Sequence, residues 1–427
     1  MHRKAKRILF VDDEPAFLEL IRKTVRSAET GWRTSFARSG KQALALLNDA
    51  PFDVLVSDIQ MPGVSGQDLL EETAKRCPET VRVAVSGFYI GPALRSVGPA
   101  HRYLTKPCDT DSVIGAVEHG LALRDLLSAA PVTETIAQLG ELPRPPALYL
   151  RLVEELRSSE PSICRAANII TGDPAMSKSL LTMANSAYFG FRHRVSDVRQ
   201  AVTLLGLRTT KDLVLSTEVF SQFLGQDFTD LSLDAADVAM SGYAFREFGG
   251  GQINTLPVAW VVDHSLSTAA IARNLAEEEG HEHELADDAF MAGSLHDVGQ
   301  LILANRLGER YAETLATAAE SQRPLWQAEY EVLGTSHAEV GAYLMRQWGL
   351  PDVVVEAMAY HHQPQACGER ALSPLILVHA ADALHHEMRP KLRPWPAPQM
   401  APQCLAELGL TGRMERWRVG AAGLLGR

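Results

Sequence analysis

The stretch FMAGSLHDVGQLIL, residues 290–303, breaks an apolar run with His296 and Asp297 and then resumes it. An imidazole beside a carboxylate suits a transition-metal ligand pair. A buried imidazole with neither a metal nor a hydrogen-bond partner is costly. A second set of reactive types lies nearer the N-terminus: Asp12, Asp13, Asp58, Ser86 and Lys106. Three carboxylates brought together repel unless a cation joins them, and oxygen-only donors suit Mg²⁺. A lysine to pair with an added phosphoryl group and a serine hydroxyl to hydrogen-bond to it complete the set. The chemistry implied is phosphoryl transfer to a carboxylate, with Asp58 as nucleophile.

The elements that position the second set are short apolar runs alternating with helical spacing. ILFV (8–11), DVLVSD (53–58), VRVAVSG (81–87) and YLTKP (103–107) read as buried strands. Between them PAFLELIRKTV, GKQALALLND and GQDLLEETAKR carry apolar residues at i, i+3 and i+4. Alternating strands and helices predict a doubly wound, five-stranded parallel sheet, with ligands at the carboxyl ends of the strands. Asp12 and Asp13, Asp58, Ser86 and Lys106 all follow or end such strands. The segment 111–131 reads as a last helix that runs on as a linker and is ended by Pro131. From Thr133 onward the pattern is all helical, with GDP (172–174) and LLGL (204–207) marking helix ends. GHEHELADD (280–288) reads as a solvated loop or a helix start, the Pro-rich 389–403 as a loop, and the tail beyond as one or two peripheral helices.

The chain has 427 residues, enough for two or three domains, with 46% hydrophobic and 22% charged residues, as in ordinary globular proteins. A net charge of −11 argues against a mainly nucleic-acid-binding protein. Five dispersed cysteines without a CxxC pair argue against a thiolate zinc site and fit a reducing compartment. The basic N-terminus leads into a strand rather than a signal peptide, and no run approaches the ~18 apolar residues of a membrane helix. A cytoplasmic protein is expected.

VDDEP, VSDIQMPGVSGQDLL, VSG and YLTKP closely resemble the receiver domain of bacterial two-component response regulators. The resemblance covers residues 6–125. It implies a flavodoxin-like fold, Mg²⁺ bound by Asp12, Asp13 and Asp58, and Asp58 phosphorylated by a sensor histidine kinase. Ser86 and Tyr103 would form a switch pair, with Lys106 beside the phosphate. The bond from Lys106 to Pro107 is commonly cis in that family.

ELPRPPALYLRLVEEL, GDPAMSKSLLTMANSAYFG, VRQAVTLLGLRTTKDLVLS, GSLHDVGQLIL and SHAEVGAYLMRQWGLP resemble successive signatures of the HDOD domain, a helical output domain related to the HD metal-dependent phosphohydrolases. The resemblance runs from Ile136 to Asp382. By it, HD-superfamily enzymes use the positions of His264, His296, Asp297 and Asp382 for a first metal. The HD-GYP cyclic di-GMP phosphodiesterases add those of His337, His361 and His362 for a second. All seven are ligand-capable here, and Fe, Mn, Zn or Ni suits such a set. The alternative is a hydrogen-bonded core that keeps the pattern without metal. Two departures weigh against catalysis. Gln300 stands where HD-GYP enzymes have a lysine for substrate phosphate, and LILANRLGERYAETL has no GYP-like loop.

The organisation expected is a receiver domain (6–125), a helical linker (126–135), an all-α HDOD domain (136–388) and a Pro-rich loop with a tail (389–427). The function expected is that of a response regulator signalling by protein–protein contact with an unknown target. The competing reading is a receiver-controlled metal-dependent phosphohydrolase acting on a cyclic dinucleotide or another nucleotide. DNA binding is the weakest reading, because no helix pair has a basic face. A homodimer is the expected oligomer if the receivers pair.

Overall fold

The computed structural model describes residues 5–87, 98–158, 160–186, 189, 191, 193–224, 258–281, 283–368, 371–389, 395–397 and 400–425. They form two compact units, Met1–Leu126 with Gly349–Asp352, and Leu127–Trp348 with Val353–Arg427.

The first unit contains strands β1 (Arg7–Val11), β2 (Arg33–Ala37), β3 (Val54–Asp58), β4 (Val81–Ser86) and β5 (Arg102–Thr105). All pair in parallel, in the order β2-β1-β3-β4-β5. Helices α1 (Pro15–Ser27), α2 (Gly40–Asp49), α3 (Gly66–Arg76) and α4 (Thr110–Leu127) flank the sheet. Strand alternation sorts the core into two faces. Ile8, Phe10, Val54, Val56, Val83 and Val85 pack with residues of α1 and α4. Leu9, Val11, Leu55 and Ala84 pack with residues of α2 and α3. Strands β1, β3 and β4 are covered on both faces and, Arg7 and Arg82 apart, are apolar up to their carboxyl ends, where Asp12, Asp58 and Ser86 fall.

The second unit is helical, as expected. Its elements are α5 (Ala130–Leu139), α6 (Ala147–Arg157), α7 (Ile163–Thr171), α8 (Pro174–Ala184), α9 (Val198–Leu224), α10 (Val258–Glu278), α11 (His283–Leu295), α12 (Val298–Leu307), α13 (Glu309–Ser321), α14 (Leu325–Leu333), α15 (His337–Gln347), α16 (Asp352–Tyr360), α17 (Pro374–Met388), α18 (Pro402–Glu407) and α19 (Met414–Leu425). The GDP signal works as read: Asp173 caps α8 by accepting from the Met176 N–H at 2.9 Å, and Pro174 opens the helix. So does LLGL. Gly206 interrupts α9 with φ 79°, a conformation that suits glycine. The polar GHEHELADD contains a helix start, at His283.

Two expectations change. The helix predicted to run on to Pro131 stops at Leu127, and Pro131 lies in the first turn of α5 instead. A first-turn proline loses no intrahelical hydrogen bond, so it marks a beginning here. The tail is not merely peripheral. Trp417 in α19 is fully buried, its indole donates to Glu279 Oε1 at 2.9 Å, and Arg413 and Arg416 pair with Glu279. Residues 390–394 and 398–399 of the Pro-rich segment lie outside the described residues, and its end, from Pro402, opens α18 rather than continuing a loop. Among those residues no helix is long and apolar enough to cross a membrane.

Candidate functional site

At the carboxyl edge of the sheet, Asp12 follows β1, Asp58 ends β3, Ser86 ends β4 and Lys106 follows β5. Asp12, Asp58 and Ser86 are buried, and Asp13 is exposed. Lys106 Nζ donates to Asp12 Oδ2 at 2.7 Å and to Asp58 Oδ2 at 2.8 Å. The remaining oxygens are held by backbone: Asp12 Oδ1 accepts from Glu14 N at 2.8 Å and Asp58 Oδ1 from Gln60 N at 3.1 Å. Burial pushes the Asp12 carboxyl up against the opposing pull of Lys106. Burial pulls the Lys106 ammonium down, but hydrogen bonds to Asp12 and Asp58 outweigh it and raise it. The three aspartates bring oxygens close enough to share one cation. Tyr103 is buried within the core on the α2–α3 side, and its hydroxyl oxygen accepts from Ala100 N at 3.3 Å. The Lys106–Pro107 bond is cis.

In the helical unit all seven expected residues come together. His264 lies on α10, and His296 and Asp297 occupy the corner between α11 and α12. His337 is the first residue of α15, which starts at a capping box between Ser336 and Glu339. His361 and His362 follow α16, and Asp382 lies on α17. The corner is tight. A Cβ on Gly299 would overlap the carbonyl oxygen of His337, so α12 and α15 approach there only because residue 299 is glycine.

Asp297 is the hub. Its Oδ2 lies 3.5 Å from the Nε2 atoms of both His264 and His296. Its Oδ1 lies 3.1 Å from His337 Nε2 and 3.8 Å from His361 Nε2. Asp382 Oδ1 lies 3.3 Å from His264 Nε2, and His362 Nε2 lies 3.0 Å from His337 Nε2. The donors thus fall into two overlapping groups that share the carboxylate. One holds His264, His296 and Asp297; the other holds Asp297, His337, His361 and His362.

The proton positions favour a cation. His296 Nδ1 lies 2.7 Å from Gly293 O, and His361 Nδ1 2.7 Å from Met358 O. A carbonyl only accepts, so Nδ1 carries the hydrogen in each ring and Nε2 of the neutral ring keeps its lone pair. His296 Nε2 points at His264 Nε2 across 3.2 Å, and His361 Nε2 is buried without a hydrogen-bond partner. Burial holds His296 below its ordinary pKa. Burial, then neighbouring His296, takes His361 down to about 3. Burial raises the Asp297 carboxyl, but the imidazoles of His296, His337 and His264 outweigh it and hold it well below the usual range. Asp382 is likewise held low against its burial, chiefly by His386. The ionised Asp297 and Asp382 carboxylates and the neutral His296 and His361, with Nε2 lone pairs facing inward, are donors of the kind a transition metal takes.

Sequence reasoning missed the residues that hold this cluster. Glu329 is fully buried and accepts from His337 Nδ1 at 2.6 Å and from Tyr311 Oη at 2.6 Å. Burial pulls His337 down, but Glu329 and Asp297 drive it up to about 10. His385 and His386, buried on α17, join the His264 side. The signal was present: HH falls three and four residues after Asp382, on the same helical face. Gln300 is buried, and its Oε1 has no hydrogen-bond partner.

The family profile described as the response regulator receiver domain matches residues 8–118, and the HDOD domain profile matches residues 142–244 and 234–364. An uncharacterized protein of Treponema pallidum is 25% identical over 240 residues, covering 56% of this chain and 41% of that protein. The response regulator protein PilR of Pseudomonas aeruginosa is 32% identical over 159 residues, covering 36% and 35%. The chain spans less than half the length of these curated relatives. A crystal structure of an HDOD domain protein with unknown function from Geobacter sulfurreducens superposes with TM-score 0.51 at 21% identity. It covers 69% of this chain and 97% of that one, a likeness of fold. With both profiles matched in sequence order and the fold in agreement, the chain belongs to the HDOD domain family and carries a response regulator receiver domain ahead of its helical domain.

Proposed function

We propose that this response regulator is phosphorylated on Asp58 by a sensor histidine kinase and that its helical domain signals by contact with a protein target. The observation that carries the input half is Lys106 Nζ bridging Asp12 and Asp58, a cation already placed where phosphoryl charge would develop. Mg²⁺ held by Asp12, Asp13 and Asp58 would neutralise charge on the incoming group. An Asp58 carboxylate oxygen attacks the phosphorus of a phosphohistidine, the P–N bond breaks and the imidazole leaves. Lys106 then turns from a carboxylate to a phosphoryl oxygen, and the Ser86 hydroxyl donates to another. Such a gain of charge biases a two-state receiver and so changes which output surface is free.

For the output, burial of the histidine cluster and the neutral Gln300 support a centre that organises the fold rather than one that turns over substrate. The residues that would hold metal are His264, His296, Asp297 and Asp382 on one side and His337, His361 and His362 on the other. Asp297 is shared. The second reading, a metal-dependent phosphohydrolase, is favoured by that shared carboxylate, the arrangement a two-metal centre uses.

The test is phosphorylation of the full chain by acetyl phosphate with Mg²⁺, followed on a phosphate-affinity gel. The parent protein shifts and Asp58→Asn does not; an equal shift in both sinks the assignment of Asp58. Hydrolysis of a nucleotide panel by Mn²⁺- or Fe²⁺-loaded protein, abolished by Asp297→Asn, would replace the interaction reading by the enzymatic one.

A further inference from the structure

Two histidines of the cluster have no oxygen at Nδ1: His362, whose Nδ1 is buried with no hydrogen-bond partner, and His264. His296, His361 and His337 each place Nδ1 on an oxygen, from Gly293, Met358 and Glu329. His264 instead has its Nδ1 2.8 Å from Nδ1 of His385. The opposite nitrogen, Nε2, faces Asp382 Oδ1 at 3.3 Å and Asp297 Oδ2 at 3.5 Å. The ring cannot easily turn. It stacks on Trp260 with 5.2 Å between centroids and an interplanar angle of 1°, and on His386 at 4.4 Å and 22°. What remains open is which of its nitrogens carries the hydrogen, and the group that decides this is His385.

His385 has little else to do. Its Nε2 is buried with no hydrogen-bond partner, so His264 is the polar contact that accounts for its place in the core. The next residue along α17, His386, has its Nε2 2.9 Å from Asp382 Oδ1. That contact sets the His386 ring against the same carboxylate oxygen that faces His264. A metal-bound imidazole gains basicity and orientation when its other nitrogen donates to an acceptor, and a ligating carboxylate gains likewise from a donor.

We propose that His385 and His386 are positioning residues of the metal centre. His385 takes the Nδ1 hydrogen of His264 and so turns the Nε2 lone pair toward the cation, and His386 holds Asp382. The inference rests on reading the cluster as a metal centre.

The experiment titrates the full-length protein with Zn²⁺ and separately with Mn²⁺, in the parent and in four variants. His385→Ala and His386→Ala remove the contacts. His385→Asn keeps a polar acceptor at the Nδ1 position, and His386→Gln keeps an N–H at the Nε2 position. The alanine variants lose roughly 10–100-fold in affinity, and the amide variants recover most of it, with circular dichroism unchanged. In ¹⁵N-histidine spectra of the Zn²⁺-loaded protein, His264 is the Nδ1–H tautomer in the parent and loses that signature in His385→Ala. Unchanged affinity in the alanine variants, or amide variants as weak as alanine, overturns the proposal. So does loss of one whole equivalent with the rest bound normally, which would make His385 a direct ligand. A parent that takes up neither metal sinks the metal-centre reading itself, and the proposal with it, at the first titration.

Discussion

Glu329 Oε2 lies 2.6 Å from Nδ1 of His337 and 2.9 Å from its backbone N–H, so one carboxylate fixes both the ring and the start of α15. Its other oxygen is taken by Tyr311, leaving no slack in the arrangement. Glu329→Gln keeps the shape and removes the charge. The expected outcome is a loss of about 10–100-fold in metal affinity, read by calorimetric titration with Zn²⁺. Glu329→Ala also leaves His337 Nδ1 buried without a partner and is expected to cost about 3–5 kcal/mol, read by urea denaturation of the metal-free protein.

Lys106 separates two carboxylates that would otherwise face each other. Lys106→Met removes two charge-assisted hydrogen bonds and is expected to destabilise the receiver unit by about 1.5–3 kcal/mol. Mg²⁺ replaces part of the lost charge, so it raises the melting temperature of the variant more than that of the parent. Equal Mg²⁺ responses in thermal melts would show that Lys106 does not share the cation's place.

Gly299→Ala forces a methyl group into the carbonyl of His337. Backbone has no flexible end to yield, so α12 and α15 must separate. A cost at or above about 1–3 kcal/mol is expected, together with weaker metal binding, because Asp297 and His337 sit on the two helix starts. An unchanged melting temperature would mean that the two helices do not meet as described.

Much of this was legible in the sequence, and the limits were physical. The strands β1, β3 and β4 are covered on both faces and read as apolar runs. β2, with the sequence RTSFA, is a half-covered edge strand and has no such run. The seven cluster residues were legible because their types and order resemble those of the HD-superfamily ligands, and His296 and Asp297 stood out further by breaking an apolar run. Glu329, Tyr311, His385 and His386 did not, because their roles depend on which helices meet. Pro131 shows a local ambiguity: the same residue closes one helix or opens the next, and the chain uses it to open α5.

Glu218 on α9 gives a pH prediction independent of metal. Burial raises its carboxyl to about 7 against an opposing hydrogen bond from Tyr149 N at 3.3 Å. The folded state therefore binds this proton more tightly than the unfolded chain, whose value is near 4.5. The stability it contributes is full below pH 4.5 and is lost as pH rises through 7. Glu218→Gln lacks this dependence, so its stability relative to the parent rises between pH 4.5 and 7.5. Parallel urea curves at constant offset across that range would refute the assignment.

The pairing of His264 with His385 joins points 121 residues apart in the chain. Closing so long a loop carries an entropic cost that local helix formation does not repay. In folding time the centre is therefore late: its helices form first, and its donors converge only when α17 docks against α10. A cation that binds the converged donors acts on the finished domain, slowing its opening far more than it hastens its assembly.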